Sequence, residues 1–164
     1  MNRPPTGKLK VSASSDLEIV MVREFDAPRT MGFEAFTKPE HLKRWFGRRV
    51  DEMTVCDVDL RVGGKWRFVL SEGGEEMGLY GEFLEIDPPE RLVQTENFEG
   101  EFFEMMGSGT INTMVLEERG GVTLMTCTAL YKTREARDTV LRSPMEQGAA
   151  ETFDRLEELL QALV

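Results

Sequence analysis

The side chains able to do chemistry are few and scattered. His41 is the single histidine, so no metal cluster can be built on histidine pairs. It sits beside Glu40 in the first turn of a short helix and reads as a surface or packing histidine rather than a general base. The two cysteines, Cys56 and Cys127, match no metal or redox spacing and fall in strand-like segments, where a buried thiol is the ordinary outcome. Gly63-Gly64-Lys65 runs into a strand rather than a helix N-terminus, so it makes a turn and not a phosphate cradle. Candidates for acid or base work reduce to Tyr80, Glu82, Tyr131 and Arg23.

The aromatic residues say more as a set. Trp45, Phe46, Trp66, Phe68, Tyr80, Phe83, Phe98, Tyr131 and Phe153 are spread over helices and strands that must share one interior. Each taken alone is ordinary core; together they are the usual lining of a small-molecule pocket. Trp66 and Phe68 share strand parity, with Lys65 and Arg67 on the other side, so the aromatic side faces inward. Arg48 and Arg49 follow the second helix and are placed at a pocket rim, where they favour an amphipathic ligand with an anionic end. Arg23 shares parity with Met21 and Phe25; pointing inward, it requires an acidic partner or an anionic ligand.

Composition bounds the function classes. The chain has 164 residues, 40% hydrophobic and 30% charged, with a net charge of −10. That length suits one domain with a real core. The acidic balance argues against nucleic acid and against an anionic membrane face. No apolar run approaches the roughly 20 residues of a membrane span, and the opening residues lack a secretory signal. Few cysteines and no signal give a cytoplasmic expectation, without cofactor or metal. Charge is uneven: +3 over residues 1–70 and −13 over residues 71–164. Glu96, Glu99, Glu101 and Glu104 interleave with Phe98, Phe102 and Phe103, which reads as a solvated acidic loop, with a protein-docking loop as the sharper alternative.

Periodicity gives the elements that position these residues. Residues 1–15 lack it and are expected to form a flexible tail, with a single domain over 16–164. Leu17–Phe25 is a strand. Pro28 opens a short helix, and Thr37 with Glu40 has capping-box spacing for a second one ending at Gly47. About six strands follow, over Val50–Val58, Trp66–Leu70, Met77–Ile86, Leu92–Phe98, Gly109–Leu116 and Val122–Tyr131. Thr133 caps a short helix. Beyond Pro144 a long helix, Met145–Leu163, carries Met145, Ala149, Phe153, Leu156, Leu160 and Leu163 as one apolar stripe. The class is α+β: a sequential antiparallel sheet of six or seven strands that curls and is covered by the last helix.

Several stretches resemble a known family. They are Phe25-Asp26-Ala27-Pro28, Phe36-Thr37-Lys38-Pro39-Glu40-His41-Leu42, Arg44-Trp45-Phe46-Gly47, Asp59 to Phe68, Gly81 to Val93, Met145-Glu146-Gln147-Gly148 and Phe153-Asp154-Arg155-Leu156. In this order they are similar to the activator of heat-shock-protein-90 ATPase homologue-like family of the START-like (SRPBCC) superfamily. The resemblance implies a helix-grip fold, a curved sheet around the C-terminal helix with a cavity between them. It implies binding of a small, largely apolar or amphipathic ligand, or interaction with a chaperone protein, or a cyclase/aromatase-like activity as in some START-like relatives. Members often end the second helix with Trp-Trp-Gly-Pro; Trp45-Phe46-Gly47-Arg48-Arg49 departs from that and bears on ligand preference.

Overall fold

Alternation of side chains along strands builds this molecule. In β4 (Lys65–Glu72), Trp66, Phe68 and Leu70 are buried while Lys65 and Arg67 are exposed. The same alternation runs through β2 (Glu18–Phe25), where Ile19, Arg23 and Phe25 are buried, and β7 (Thr110–Arg119), where Thr110, Met114 and Leu116 are. The computed structural model describes residues 8–100 and 109–163. With β1 (Lys10–Ser15), β3 (Glu52–Val58), β5 (Glu75–Asp87), β6 (Arg91–Phe98) and β8 (Val122–Leu130), the strands form one antiparallel sheet in the order β1-β2-β8-β7-β6-β5-β4-β3.

The sheet has eight strands, where six or seven were expected. The extra strand is β1, which occupies part of the expected tail: Lys10 pairs with Val22 and Ser12 with Val20. Its sequence, KVSASS, carries almost no apolar pattern because β1 is an exposed edge strand held by backbone hydrogen bonds. Residues 1–7 of the expected tail lie outside the described residues.

Two short helices, α1 (Arg29–Thr37) and α2 (Pro39–Trp45), connect β2 to β3. Pro28 caps α1, its carbonyl accepting from Met31 and Gly32 N–H at 3.1 Å. The expected capping box at Thr37 does not form. Thr37 closes α1 instead, its hydroxyl donating to the Phe33 carbonyl at 2.8 Å, and extended Lys38 caps α2 without a side-chain bond. Pro39 disfavours helical backbone at the residue before it, so the break falls at Lys38.

After β8 come α3 (Arg134–Arg142) and the long α4 (Met145–Leu163). Thr133 caps α3 as expected, accepting from Ala136 N–H at 3.1 Å. α4 lies on the concave sheet face with Phe153, Leu156, Leu159 and Leu160 buried. Leu163, at the end of the predicted stripe, is exposed. The Phe153 ring stands 6.2 Å from Phe25 on the sheet and 6.3 Å from Trp45 on α2, so one side chain joins three layers.

Candidate functional site

The strand registers place a row of inward positions across the sheet. Trp66 in β4 pairs with Gly81 in β5. Gly81 lies between the Tyr80–Asn97 and Phe83–Gln94 pairs, beside Glu96 in β6. Glu96 pairs with Thr110 in β7, and Tyr131 follows the end of β8 with its N–H on the Leu17 carbonyl at 2.8 Å. Gly81 is obligatory in this row: a Cβ there would lie 1.9 Å from the Thr95 carbonyl oxygen and 2.7 Å from Trp66 Nε1. The Trp66 indole therefore leans from β4 over β5, toward the strand that bears Glu96.

Four polar groups in and beside this row are out of the ordinary. Trp66 is 2% exposed, and its Nε1–H has no acceptor among the described residues. Asn112, next along β7 from Thr110 on the same face, bonds its amide to the Glu96 carboxyl while its own Oδ1 is buried without a partner among those residues. Burial pushes the Glu96 carboxyl above its ordinary range, against the smaller opposing effect of the Asn112 bond. Burial, helped by the nearby Glu96 charge, lifts the Tyr131 phenol to about 12.

Around these groups the lining is apolar. Met21 pairs with Cys127 and Cys127 with Met114, all on the concave face, and Ala129 and Phe98 lie nearby. Met21, Phe98, Cys127 and Ala129 are half-buried, as are Gly148, Ala149 and Ala150 in the N-terminal half of α4. A Cβ at Gly148 would meet nothing within 4 Å. Burial pushes the Cys127 thiol up to about 12 and raises that of Cys56 as well. Both are free thiols, as expected.

The structure divides the predicted lining. Trp66, Phe68 and Phe98 come together in the core, with Phe46 against Phe68 at 5.1 Å, and Tyr131 is buried beyond the end of β8. Trp45 and Phe153 belong to the packed end of the core; the Trp45 indole N–H is used by the Ala35 carbonyl at 2.8 Å. Tyr80 is misplaced by the sequence reading. It takes the opposite parity to Leu79 and Phe83 and is exposed on the outer face. There it lines an open groove of about 410 Å³ together with Asp57, Lys65, Trp66, Arg67, Gly81 and Glu99. Glu82 pairs with Lys65 on that outer face too, so neither serves an interior site.

The arginines are already engaged. Arg48 binds Asp51 at 3.1 Å and Glu72 at 2.6 Å, and Arg49 bonds Glu158. These carboxylates raise both guanidinium groups above their ordinary value. Arg23 points inward and has the acidic partner its burial requires: Nη1 donates to Asp154 at 2.7 Å, and the guanidinium lies 5.1 Å from the Phe25 ring centre. His41 is half-buried on α2, with Nδ1 unpartnered among the described residues.

Of the acidic, aromatic segment, Glu101, Phe102, Phe103 and Glu104 lie outside the described residues. Glu99 bonds Arg67 at 2.7 Å on the outer face. Glu96 is not in a solvated loop but in β6, facing inward. Its parity with Leu92 and Phe98 was the available signal, as parity with Met114 and Leu116 was for Asn112. Among the described residues no group of three or more potential ligands is arranged to hold a metal, and no helix is long and apolar enough to cross a membrane.

The family profile of the Activator of Hsp90 ATPase homolog 1-like protein matches residues 26–161. The chain belongs to this family. Solved structures agree with the family's fold. A protein from Rhodobacter sphaeroides is 29% identical, with 95% of this chain and 99% of that one covered and a TM-score of 0.88. One from Mycobacterium smegmatis is 26% identical over 95% and 97% of the two chains, with a TM-score of 0.80. A protein from Silicibacter pomeroyi described as AHSA1 is 19% identical over 90% and 99%, with a TM-score of 0.73, and is similar in fold alone. No curated protein sequence gives a significant match. The match takes in α1 and α2, β3 to β8 and nearly all of α4, and leaves β1 and β2 outside it.

Proposed function

We propose that the protein binds a small, largely apolar or amphipathic molecule between the concave sheet face and the N-terminal half of α4, without catalysing a reaction on it. One observation carries this reading. Phe153, Leu156 and Leu160 along the rest of α4 are buried in the core, whereas Met21, Phe98, Cys127 and Ala129 on the sheet stay half-buried and a Cβ at Gly148 on α4 would meet nothing within 4 Å. Apolar surface in that state, with a few fixed polar groups among it, is how small-molecule sites are built. The aromatic residues that serve it are Trp66, Phe68, Phe98, Tyr131 and Phe46.

Native mass spectrometry of the protein purified from its own source tests this. An adduct of a few hundred daltons that survives gentle ionisation and leaves on denaturation is expected. A bare chain, together with no thermal shift across a screen of apolar compounds, refutes it.

The family description supports a second reading, interaction with a heat-shock-protein-90 type chaperone. An ATPase assay with the chaperone discriminates: unchanged turnover over a titration of this protein removes that reading and leaves the first intact.

A further inference from the structure

From the side chains of Arg44, Arg49 and Arg155 around one surface pocket at the seam of α2 and α4, we infer a second binding site, for inorganic phosphate or the dianionic head of a small phosphate monoester. It goes beyond the binding reading above and does not depend on it.

The pocket has a volume of about 270 Å³ and is lined by Arg44, Arg49, Arg155, Glu158 and Leu159. Four of these five residues are charged, so an apolar ligand finds only Leu159 to cover. Its size falls just below the roughly 300–1,000 Å³ of drug-sized sites, which suits a small ion or the charged head of a small molecule.

Charge sets this pocket apart in a chain that carries −10 overall. Arg23, Arg48, Arg67 and Arg91 each hold a carboxylate. Arg44 and Arg155 have no acidic partner among the described residues. Arg155 bonds only neutral groups: Nη1 donates to the Gly47 and Arg48 carbonyls and Nη2 to the Arg44 carbonyl, all at 2.9 Å. Those bonds fix its guanidinium beside the end of α2 and leave its net charge in place. Arg49 is held by Glu158, with Glu151 and Asp154 acting on it as well. Three guanidinium groups against one carboxylate give the lining a net +2.

Guanidinium forks match the paired oxygens of carboxylates and phosphates alike. Glu158 decides between the two. A monoanion adds little beside a carboxylate that already occupies Arg49. A phosphate monoester carries about −1.5 to −2 near pH 7 on three terminal oxygens, enough to engage Arg44 and Arg155 together and to offset the surplus. The expected placement of Arg48 and Arg49 at the rim of an interior pocket is thereby corrected: Arg48 is held by Asp51 and Glu72, and Arg49 faces this surface pocket.

Backbone amide shifts of the ¹⁵N-labelled full chain locate the site. The chain is titrated at pH 7 with sodium phosphate, methyl phosphate and acetate, with ionic strength held constant by sodium chloride. Both phosphates should shift the amides of Arg44, Arg49, Arg155 and Glu158. Tighter binding of inorganic phosphate makes the free ion the occupant, and tighter binding of methyl phosphate makes it an ester. Acetate should bind there at least about tenfold more weakly, for want of charge-assisted bonds. Arg44→Gln removes an exposed guanidinium without an acidic partner and should weaken phosphate about 5–10-fold. Glu158→Gln should tighten it about threefold or more, because it frees Arg49 and removes the opposing charge. If acetate shifts these amides as strongly as phosphate, or if either substitution leaves phosphate affinity unchanged, the site is wrong. The reading of the concave face survives that result, since these small polar ions do not report on an apolar pocket.

Discussion

Phe153 is the side chain whose removal tests most of the architecture at once. It is 7% exposed, with Phe25 at 6.2 Å on one side and Trp45 at 6.3 Å on the other. Phe153→Ala deletes the ring from a site whose walls belong to β2, α2 and α4, none of which can collapse without moving the others. Transfer and cavity costs for such a deletion are about 3–5 kcal/mol. Alanine's better helix propensity returns about 0.5 kcal/mol. The net loss should be about 2.5–4.5 kcal/mol, which for a chain of this size lowers Tm by about 5–18 °C. Urea unfolding followed by tryptophan fluorescence suits the measurement, because Trp45 stacks on the deleted ring at 27° and reports the same locus. A loss below about 1 kcal/mol would show that the α4 stripe is not seated between sheet and α2, and the helix-grip arrangement would have to be redrawn.

Two further outcomes are expected. Cys127, its thiol pushed up to about 12 by burial, should react with a thiol reagent at neutral pH only as fast as the chain opens, and Cys56 should also be slow; rapid labelling of either in the folded protein would contradict the concave-face placement. Glu96, raised by burial, holds its proton in the folded chain to higher pH than in the unfolded one. Its contribution is therefore fully present below the unfolded value and is lost as pH rises through the window above it. Glu96→Gln should gain thermal stability over the parent as pH rises from about 4 to about 8, and coincide with it at the acid end; a pH-independent difference would refute this.

How far the sequence could be read depended on what held each element in place. Strands pinned by a buried face, such as Trp66-Arg67-Phe68 in β4, were legible because a one-residue slip would expose every large side chain. β1 was not, because its pairing with β2 uses backbone groups that every residue carries. The helix break was legible from Pro39, but the role of Thr37 was not: whether a hydroxyl caps the next helix or closes the last one turns on backbone angles a residue away. At the site, Trp66 and Phe68 were legible from parity, and Tyr80 was missed although Leu79 and Phe83 carried the parity that excludes it. Glu96 was hidden by its company, an acidic neighbourhood that suggested solvent when its own strand position faced inward. That the arginines after α2 are spent on Asp51, Glu72 and Glu158 depends on contacts as distant as Arg49 to Glu158, beyond the reach of any local pattern.

The strand order has a consequence for how the molecule is made. β2 pairs on one side with β1, its immediate predecessor, but on the other with β8, where Glu18 meets Leu130 and Phe25 meets Thr123. During synthesis at about 5–20 residues per second, the second seam has no partner for about 5–20 s after β2 is complete. For that interval the β1–β2 ribbon has a free edge bearing Ile19, Met21 and Phe25, the kind of edge that pairs with a neighbouring chain. The seam that finally closes joins residues 18–25 to residues 123–130, so about two thirds of the chain is enclosed in one loop. The rate of folding is then set by the meeting of β2 with β8, and nascent-chain associations that shield an unpaired strand act in that window.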